Sequence, residues 1–96
     1  MTTMLAMELI PRIRQMLAEL EAAHDPVASG RRAALWRAQQ HAAALNHTID
    51  DLRRYCLEAL TPRRVLDQDD HMRGYREGFQ AVLAEVRRFE ARRRAA

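Results

Sequence analysis

The chain contains no lysine, so all sixteen of its basic residues are arginine. A guanidinium group suits carboxylate, phosphate and aromatic partners better than an ammonium group does. A single cysteine, Cys56, excludes an internal disulfide, which is typical of proteins from a reducing cytoplasm. No apolar run approaches the roughly 20 residues that a membrane span needs, and the N-terminus lacks the pattern of a secretion signal. We therefore expect a cytoplasmic protein that does not cross a membrane.

Proline, glycine and aromatic residues are also scarce, with three prolines, three glycines and five aromatic residues in the chain of 96. Long stretches without a helix breaker favour helices. A chain of this length forms one domain, here residues 1–96. The core of so small a domain is modest, and oligomerisation often supplements it.

Apolar residues at spacings of three and four predict three helices. The first covers about 4–23, and Pro11 requires that it either start late, near Ile10, or bend. The second covers about 30–60, with Ser29 as its N-cap. The third covers about 68–93, where acidic residues at the start and arginines at the end suit the helix dipole.

The second and third helices each carry an unbroken apolar seam, as helices that pack lengthwise do. Facing residues of an antiparallel pair have a constant sum of residue numbers, and a sum of 131 pairs the two seams. It sets Phe79 against Leu52 and Val86 against Leu45, with the turn at 65–66. We predict an all-α fold, an antiparallel two-helix hairpin with a preceding N-terminal helix, in a three-helix bundle or an oligomeric bundle.

This hairpin leaves apolar surface uncovered on the second helix, because Leu35 and Ala38 would face positions 96 and 93, which lie beyond the last seam residue of the third helix, Phe89. Either the first helix or a second copy of the chain can cover it. Closed dimers are the commonest small homo-oligomers, so we predict a homodimer through Leu17, Leu35, Trp36, Gln40 and Ala43. In the competing interpretation Trp36 lies in the core of the monomer.

Catalytic and metal-binding patterns are missing from the sequence. No two of the four histidines have the spacing of three or four that directs two imidazoles at one metal ion, and His41 and His47 fall on different faces of one helix. The acidic run 67–71 lacks the glycine and closing glutamate of a calcium loop. Cys56 occupies a seam position, so we interpret it as a small buried apolar residue. We predict no enzyme activity, no metal and no cofactor.

Gly74 and Gly78 lie four residues apart inside the third predicted helix. Each destabilises a helix by about 1 kcal/mol relative to alanine. Two interpretations remain open, a loose start to the helix or the close approach of another helix backbone.

Arginine pairs recur along the predicted helices. They suit a protein partner that carries carboxylate or aromatic groups, and the residues expected to bind it are Arg31, Arg32, Arg37, Arg53, Arg54, Arg73 and Arg76. The alternative partner is nucleic acid, whose phosphates would contact arginines near the C-terminus: Arg87, Arg88, Arg92, Arg93 and Arg94.

Residues 71–89, HMRGYREGFQAVLAEVRRF, resemble the R-G-x-x-x-G-apolar helix of small phage-encoded helical proteins. The resemblance implies a phage accessory protein, such as an inhibitor of a host defence or regulatory factor. Together with the missing catalytic chemistry, it favours a non-enzymatic protein–protein interaction module that self-associates. Nucleic-acid binding is the alternative function.

Overall fold

The structure, a computed structural model, describes residues 3–61 and 69–95. Its regular elements are a 3₁₀ helix, Ala6–Leu9, and four α-helices: α1 (Ile10–Glu19), α2 (Pro26–Ala42), α3 (Ile49–Ala59) and α4 (Asp70–Ala95). The predicted all-α class is therefore confirmed. No helix within the described ranges is long and apolar enough to cross a membrane.

Helix α1 begins at Ile10, with Pro11 in its first turn. This is the late start that the proline allows, since the first turn of a helix needs no donor at that position. Residues before it form the 3₁₀ helix, whose start is stabilised by a hydrogen bond from the Leu5 N–H to the Glu8 carboxylate (3.0 Å). The predicted helix 4–23 is thus shorter than expected, because α1 ends at Glu19.

Helix α2 begins four residues before the predicted start at Gly30. The N-cap is Asp25, whose carboxylate accepts a hydrogen bond from the Ala28 N–H (2.9 Å). Pro26 occupies the first helical position, which suits its fixed φ angle. Ser29, predicted as the N-cap, lies inside the helix.

The predicted single helix over 30–60 is wrong, because residues 43–48 separate α2 from α3. Leu45, which was expected to pack against Val86, lies in this break and is 81% exposed. The predicted pairing therefore does not extend beyond α3.

Two sets of hydrogen bonds stabilise the break. Thr48 and Asp51 form a capping box at the start of α3, with a bond from the Asp51 N–H to the Thr48 hydroxyl (3.1 Å) and one from the Thr48 N–H to the Asp51 carboxylate (2.8 Å). The N-terminal segment pairs with the break through two backbone bonds, from the Ala6 N–H to the His47 carbonyl and from the Ile49 N–H to the Met4 carbonyl (2.9 Å each).

Helices α2 and α4 form the most extensive helix–helix contact of the described residues. A Cβ atom added at Gly74 would lie 1.9 Å from the Val27 carbonyl oxygen, and one added at Gly30 would lie as close to the backbone of α4. Farther along both helices, Gly78 lies against Ala34. The residue numbers of the contacting positions increase together along α2 and α4, so the two helices run parallel. Gly74 and Gly78 therefore mark a close approach of helix backbones, not a loose helix start.

Helix α3 packs against α4 in the antiparallel direction. Near the start of α3 Arg53 pairs with Glu90, and further along the rings of Tyr55 and Phe79 meet edge to face with centroids 5.9 Å apart. Phe79 and Leu52, an expected pair, are both fully buried in the same core cluster. The turn predicted at 65–66 and the first residues of the acidic run, 67–68, lie outside the described residues.

The core lies between the four α-helices and the 3₁₀ helix, and its largest fully buried side chains are Ile13, Ile49, Leu52, Cys56, Phe79, Val82 and Val86. Helix α1 is joined to α4 through Glu85, which is 4% exposed and accepts hydrogen bonds from Arg12 (3.2 Å) and Arg88 (2.5 Å). Burial acts to raise the pKa of Glu85, but these arginines outweigh it and hold the pKa below its usual value. Glu85 is therefore a paired internal carboxylate.

Candidate functional site

An open groove of about 710 Å³ runs between α1 and α2. Its lining is mostly apolar at the centre and charged at the edges: Arg14, Leu17, Ala18 and Glu21 from α1 and the turn that follows it, and Ser29, Arg32, Ala33 and Trp36 from α2. Trp36 is 53% exposed. We call this surface the α1/α2 groove.

The same residue spacing on both helices produces the groove. Each side of the groove has four residues at successive spacings of three, one and three. The residues within a helix lie on one helix face, and Glu21 continues the α1 side in the turn that follows α1. The small side chains of Ala18, Ser29 and Ala33 keep the centre of the groove open, while Leu17 and Trp36 provide apolar surface.

Arg32 fixes the edge of the groove where α1 ends. Its guanidinium donates hydrogen bonds to the carbonyl oxygens of Leu20 and Ala23, both at 2.7 Å. Leu20 is the C-cap of α1, where a cation suits the negative end of the helix dipole, and Ala23 lies in the linker that follows, so Arg32 ties α2 to the end of α1 and to this linker.

The residues predicted for self-association are not all on this surface. Leu17 and Trp36 line the α1/α2 groove, while Gln40 is exposed farther along α2 and Ala43 is exposed just after α2 ends. Leu35 belongs to the core and is 3% exposed, so it is removed from the candidate surface. Arg14 and Glu21, which sequence reasoning did not single out, take its place.

The arginines predicted to bind a partner do not form one surface, and most are engaged within the chain. Arg31 pairs with Glu77 (2.6 Å), and the Arg37 guanidinium lies over the Tyr75 ring, 5.8 Å from its centroid. Three more form ion pairs: Arg53 with Asp50 and Glu90, Arg54 with Asp50, and Arg73 with Asp70. Arg32 lies in the α1/α2 groove, and Arg76 lies beside Met72 and Tyr75.

The arginines predicted to contact nucleic acid are all exposed near the end of α4. Arg88 pairs with Glu85 and Arg93 pairs with Glu8 (2.6 Å). No ion pair joins the remaining three to another residue of the described ranges: Arg87, Arg92 and Arg94.

A cluster of aromatic rings at the break was missed by sequence reasoning. The rings of His41 and His47 stack with centroids 4.1 Å apart, and Tyr55 stacks on His41 at 4.3 Å. The break between α2 and α3 brings the two histidines together, which corrects the prediction that they lie on different faces of one helix. The His47 Nδ1–H donates to the His41 carbonyl oxygen (2.7 Å).

Burial lowers the pKa of His41, and the neighbouring His47 lowers it further. The His41 Nδ1 atom is buried and has no hydrogen-bond partner among the described residues. No group of three or more histidine, cysteine or carboxylate side chains within 3–61 and 69–95 could hold a metal ion. The ring cluster is therefore a packing feature with a pH-sensitive member.

Cys56 is buried, and burial raises the pKa of its thiol to about 12. The thiolate is the nucleophilic form of cysteine, so this side chain is unreactive at neutral pH. Its predicted place in the core is confirmed.

Comparison with known proteins finds no protein-family model, no curated protein and no solved structure that matches the chain.

Proposed function

We propose that the protein is a non-enzymatic protein–protein interaction module whose docking surface is the α1/α2 groove. The observation that supports this most is the half-exposed Trp36 at an open, apolar groove. Tryptophan and arginine are enriched among the residues that dominate binding energy at protein interfaces. Both kinds of residue occur in this groove, since Arg14 and Arg32 line it together with Trp36.

The groove also has the layout of a protein interface. An apolar centre surrounded by polar residues is typical of protein–protein contacts, and Leu17 and Ala18 lie between Arg14 and Glu21 on its α1 side. The groove lies between two helices that run side by side, α1 and α2, and such grooves bind a helix through its apolar face. The resemblance of residues 71–89 to phage accessory proteins suggests a host defence or regulatory protein as the partner.

Photo-crosslinking from a single position tests this function. A photoreactive amino acid replaces Ala33 inside the groove, and in a matched variant it replaces Leu57, which is 52% exposed and does not line the groove. After irradiation in a bacterial lysate, we expect discrete protein adducts from position 33 and few from position 57. Equal labelling from both positions, or no adduct from position 33, would contradict the proposal.

Nucleic-acid binding is the second candidate, supported by the exposed arginines Arg87, Arg92 and Arg94 that have no ion pair within the described ranges. Each phosphate contact contributes about one unit to the slope of log affinity against log salt. Ending the chain after Glu90 removes three arginines, so the slope would fall by up to about three units. An intact protein that does not bind DNA or RNA at low salt would exclude this function.

A further inference from the structure

We infer that the α1/α2 groove binds the same groove of a second copy of this chain, around a two-fold axis perpendicular to both helices. This inference rests on the proposed docking role of the groove: the second copy occupies the groove in the isolated protein, and the partner proposed above would have to displace it. In a two-fold contact each patch must be complementary to itself. The arrangement of charge and side-chain size along α1 and α2 meets this condition.

The face of α1 is complementary to itself in charge. Its groove residues occur in the order Arg14, Leu17, Ala18 and Glu21. When two copies of this face pack antiparallel about a point between Leu17 and Ala18, each Arg14 lies opposite the Glu21 of the other copy. Both charged residues are exposed, and neither forms an ion pair within the described part of the chain.

The face of α2 is complementary to itself in size. Its groove residues occur in the order Ser29, Arg32, Ala33 and Trp36. Antiparallel packing about a point between Arg32 and Ala33 sets each Trp36 opposite the Ser29 of the other copy. The largest side chain of the groove thus covers one of the smallest, which is how facing layers fill space.

One axis satisfies both pairings, because α1 and α2 lie antiparallel at matching heights. Arg32 reaches the Leu20 carbonyl at the end of α1, and Met16 lines a shared cavity with Leu35 farther along α2. The midpoint of the α1 set therefore lies level with the midpoint of the α2 set. A perpendicular axis through that level stacks α1 on α1 and α2 on α2, which forms a four-helix contact between two copies.

Arg32 is the charged residue of the groove nearest the axis, so the Arg32 residues of the two copies would lie close together. Its guanidinium is turned toward the end of α1, where it donates to the Leu20 and Ala23 carbonyl oxygens at 2.7 Å. The charge is therefore directed away from the centre of the contact and compensated by carbonyl dipoles.

Sedimentation equilibrium over a hundredfold range of concentration tests the inference on the intact chain. We expect a dimer that dissociates on dilution, and Trp36→Ala should weaken it by about tenfold or more because the residue is an interface anchor. Leu57→Ala is the matched control, since this leucine has a similar exposed fraction outside the groove and should leave the dimer unchanged. A wild-type chain that is monomeric at every concentration, or a dimer insensitive to Trp36→Ala, overturns the inference.

Charge exchange tests the antiparallel register. Arg14→Glu and Glu21→Arg should each weaken the dimer by about tenfold, because each places like charges opposite one another twice per dimer. The double variant Arg14→Glu/Glu21→Arg should recover affinity to within about threefold of the wild type. Circular dichroism establishes that all variants keep their helical content.

A double variant as weak as the single variants would overturn this register and with it the inference. Failure of self-association is distinguishable from failure of the docking function, because position 33 would then still crosslink to a different protein. Absence of any adduct from position 33 would contradict both the docking function and the self-association of the groove.

Discussion

At the residue scale, the glycines between α2 and α4 determine how closely the two helices approach. Gly30 and Gly74 are each placed so that an added methyl group would lie 1.9 Å from a backbone oxygen of the other helix. Backbone atoms cannot move aside as the end of a flexible side chain can. The two helices would have to separate to accept any larger residue.

Replacing Gly30 or Gly74 by alanine should therefore destabilise the protein. At an exposed helix position the same change stabilises by about 1 kcal/mol, so the sign is reversed here. We expect a loss of about 1–3 kcal/mol from overpacking, measured by urea denaturation followed by circular dichroism. Gly78→Ala should be milder, because the added Cβ would lie 2.7 Å from the Ala34 Cβ and 2.9 Å from the Arg31 carbonyl oxygen, farther than the 1.9 Å at Gly30 and Gly74.

The exposed Gln80 in the middle of α4 provides the control for these variants. Comparing Gln80→Gly with Gln80→Ala measures the ordinary preference of this helix for alanine. If Gly30→Ala or Gly74→Ala stabilises the protein as Gln80→Ala does relative to Gln80→Gly, the close approach of α2 and α4 is refuted.

Burial of Cys56 should make the protein less stable at alkaline pH. Its pKa is raised from 9.0 to about 12, so the folded state holds the thiol proton over a range in which the unfolded state loses it. The contribution of the Cys56 thiol to the free energy of unfolding is complete below pH 9. It is lost as the pH rises toward 12, with a slope of up to about 1.4 kcal/mol per pH unit. No lysine titrates in this range, since the chain has none.

Urea denaturation between pH 8.5 and 10.5 measures this effect. The free energy of unfolding should fall with pH in the wild type and fall less steeply in Cys56→Ala. Burial also raises the pKa of Tyr55, so Tyr55→Phe should reduce the remaining slope. Parallel profiles for the wild type and Cys56→Ala would show that the thiol is accessible to water in the folded state.

His41 should produce the opposite dependence at acidic pH. Burial and the neighbouring His47 lower its pKa below 6.5, so the unfolded state binds a proton more readily than the folded state. The contribution of neutral His41 to the free energy of unfolding is present above pH 6.5 and is lost as the pH falls through the pKa of His41 in the folded state. We expect His41→Gln to reduce the decline in stability between pH 7 and 5, measured by urea denaturation at each pH.

At the element scale, the break between α2 and α3 depends on the capping box at Thr48 and Asp51. Removing the Thr48 hydroxyl leaves the Asp51 N–H without its acceptor, so Thr48→Ala should cost about 0.5–2 kcal/mol of stability. Thr48→Ser keeps the hydroxyl and should cost much less. Thermal unfolding of the three proteins measures the difference, and equal losses for Ala and Ser would assign the effect to packing of the Thr48 methyl group.

The sequence predicted the helical class and the buried position of Cys56, because both follow from local pattern, and it left the late start of α1 at Pro11 as one of two alternatives. The break was missed because residues 43–48 contain neither proline nor glycine and Leu45 continues the apolar spacing. Apolar spacing indicates which face of a helix is buried, but it does not indicate whether the helix continues without a break. The detectable signal was the pair Thr48 and Asp51, three residues apart, which is typical of a helix start.

At the scale of the whole molecule, the apolar seam pattern could not predict whether α2 and α4 pack parallel or antiparallel. An apolar seam fits a parallel or an antiparallel neighbour equally well, and only the break at 43–48 makes the parallel arrangement possible. The candidate site shows the same limit. Leu17 and Trp36 could be selected as apolar residues, whereas Arg14 and Glu21 became relevant only once α1 was placed beside α2.

The C-terminal arginines contribute little to the fold as a whole. Ending the chain after Glu90 removes the exposed ion pair of Arg93 and Glu8 and, among the described residues, no buried side chain. Exposed ion pairs contribute about 0–1 kcal/mol. We expect the shortened chain to keep its helical content and to lose no more than about 1 kcal/mol of stability, and a larger loss would show that the end of α4 anchors the 3₁₀ helix.

The parallel contact between α2 and α4 has a consequence for the order of folding. Val27 and Gly74, which meet in this contact, are separated by almost half of the chain. Joining them requires that the intervening helix α3 first reverse direction, and the entropy of closing so long a loop is lost before the contact forms. The turn between α1 and α2 closes a far shorter loop. We therefore expect α1 and α2 to associate early and the docking of α4 to limit the folding rate, as distant contacts do in other small proteins.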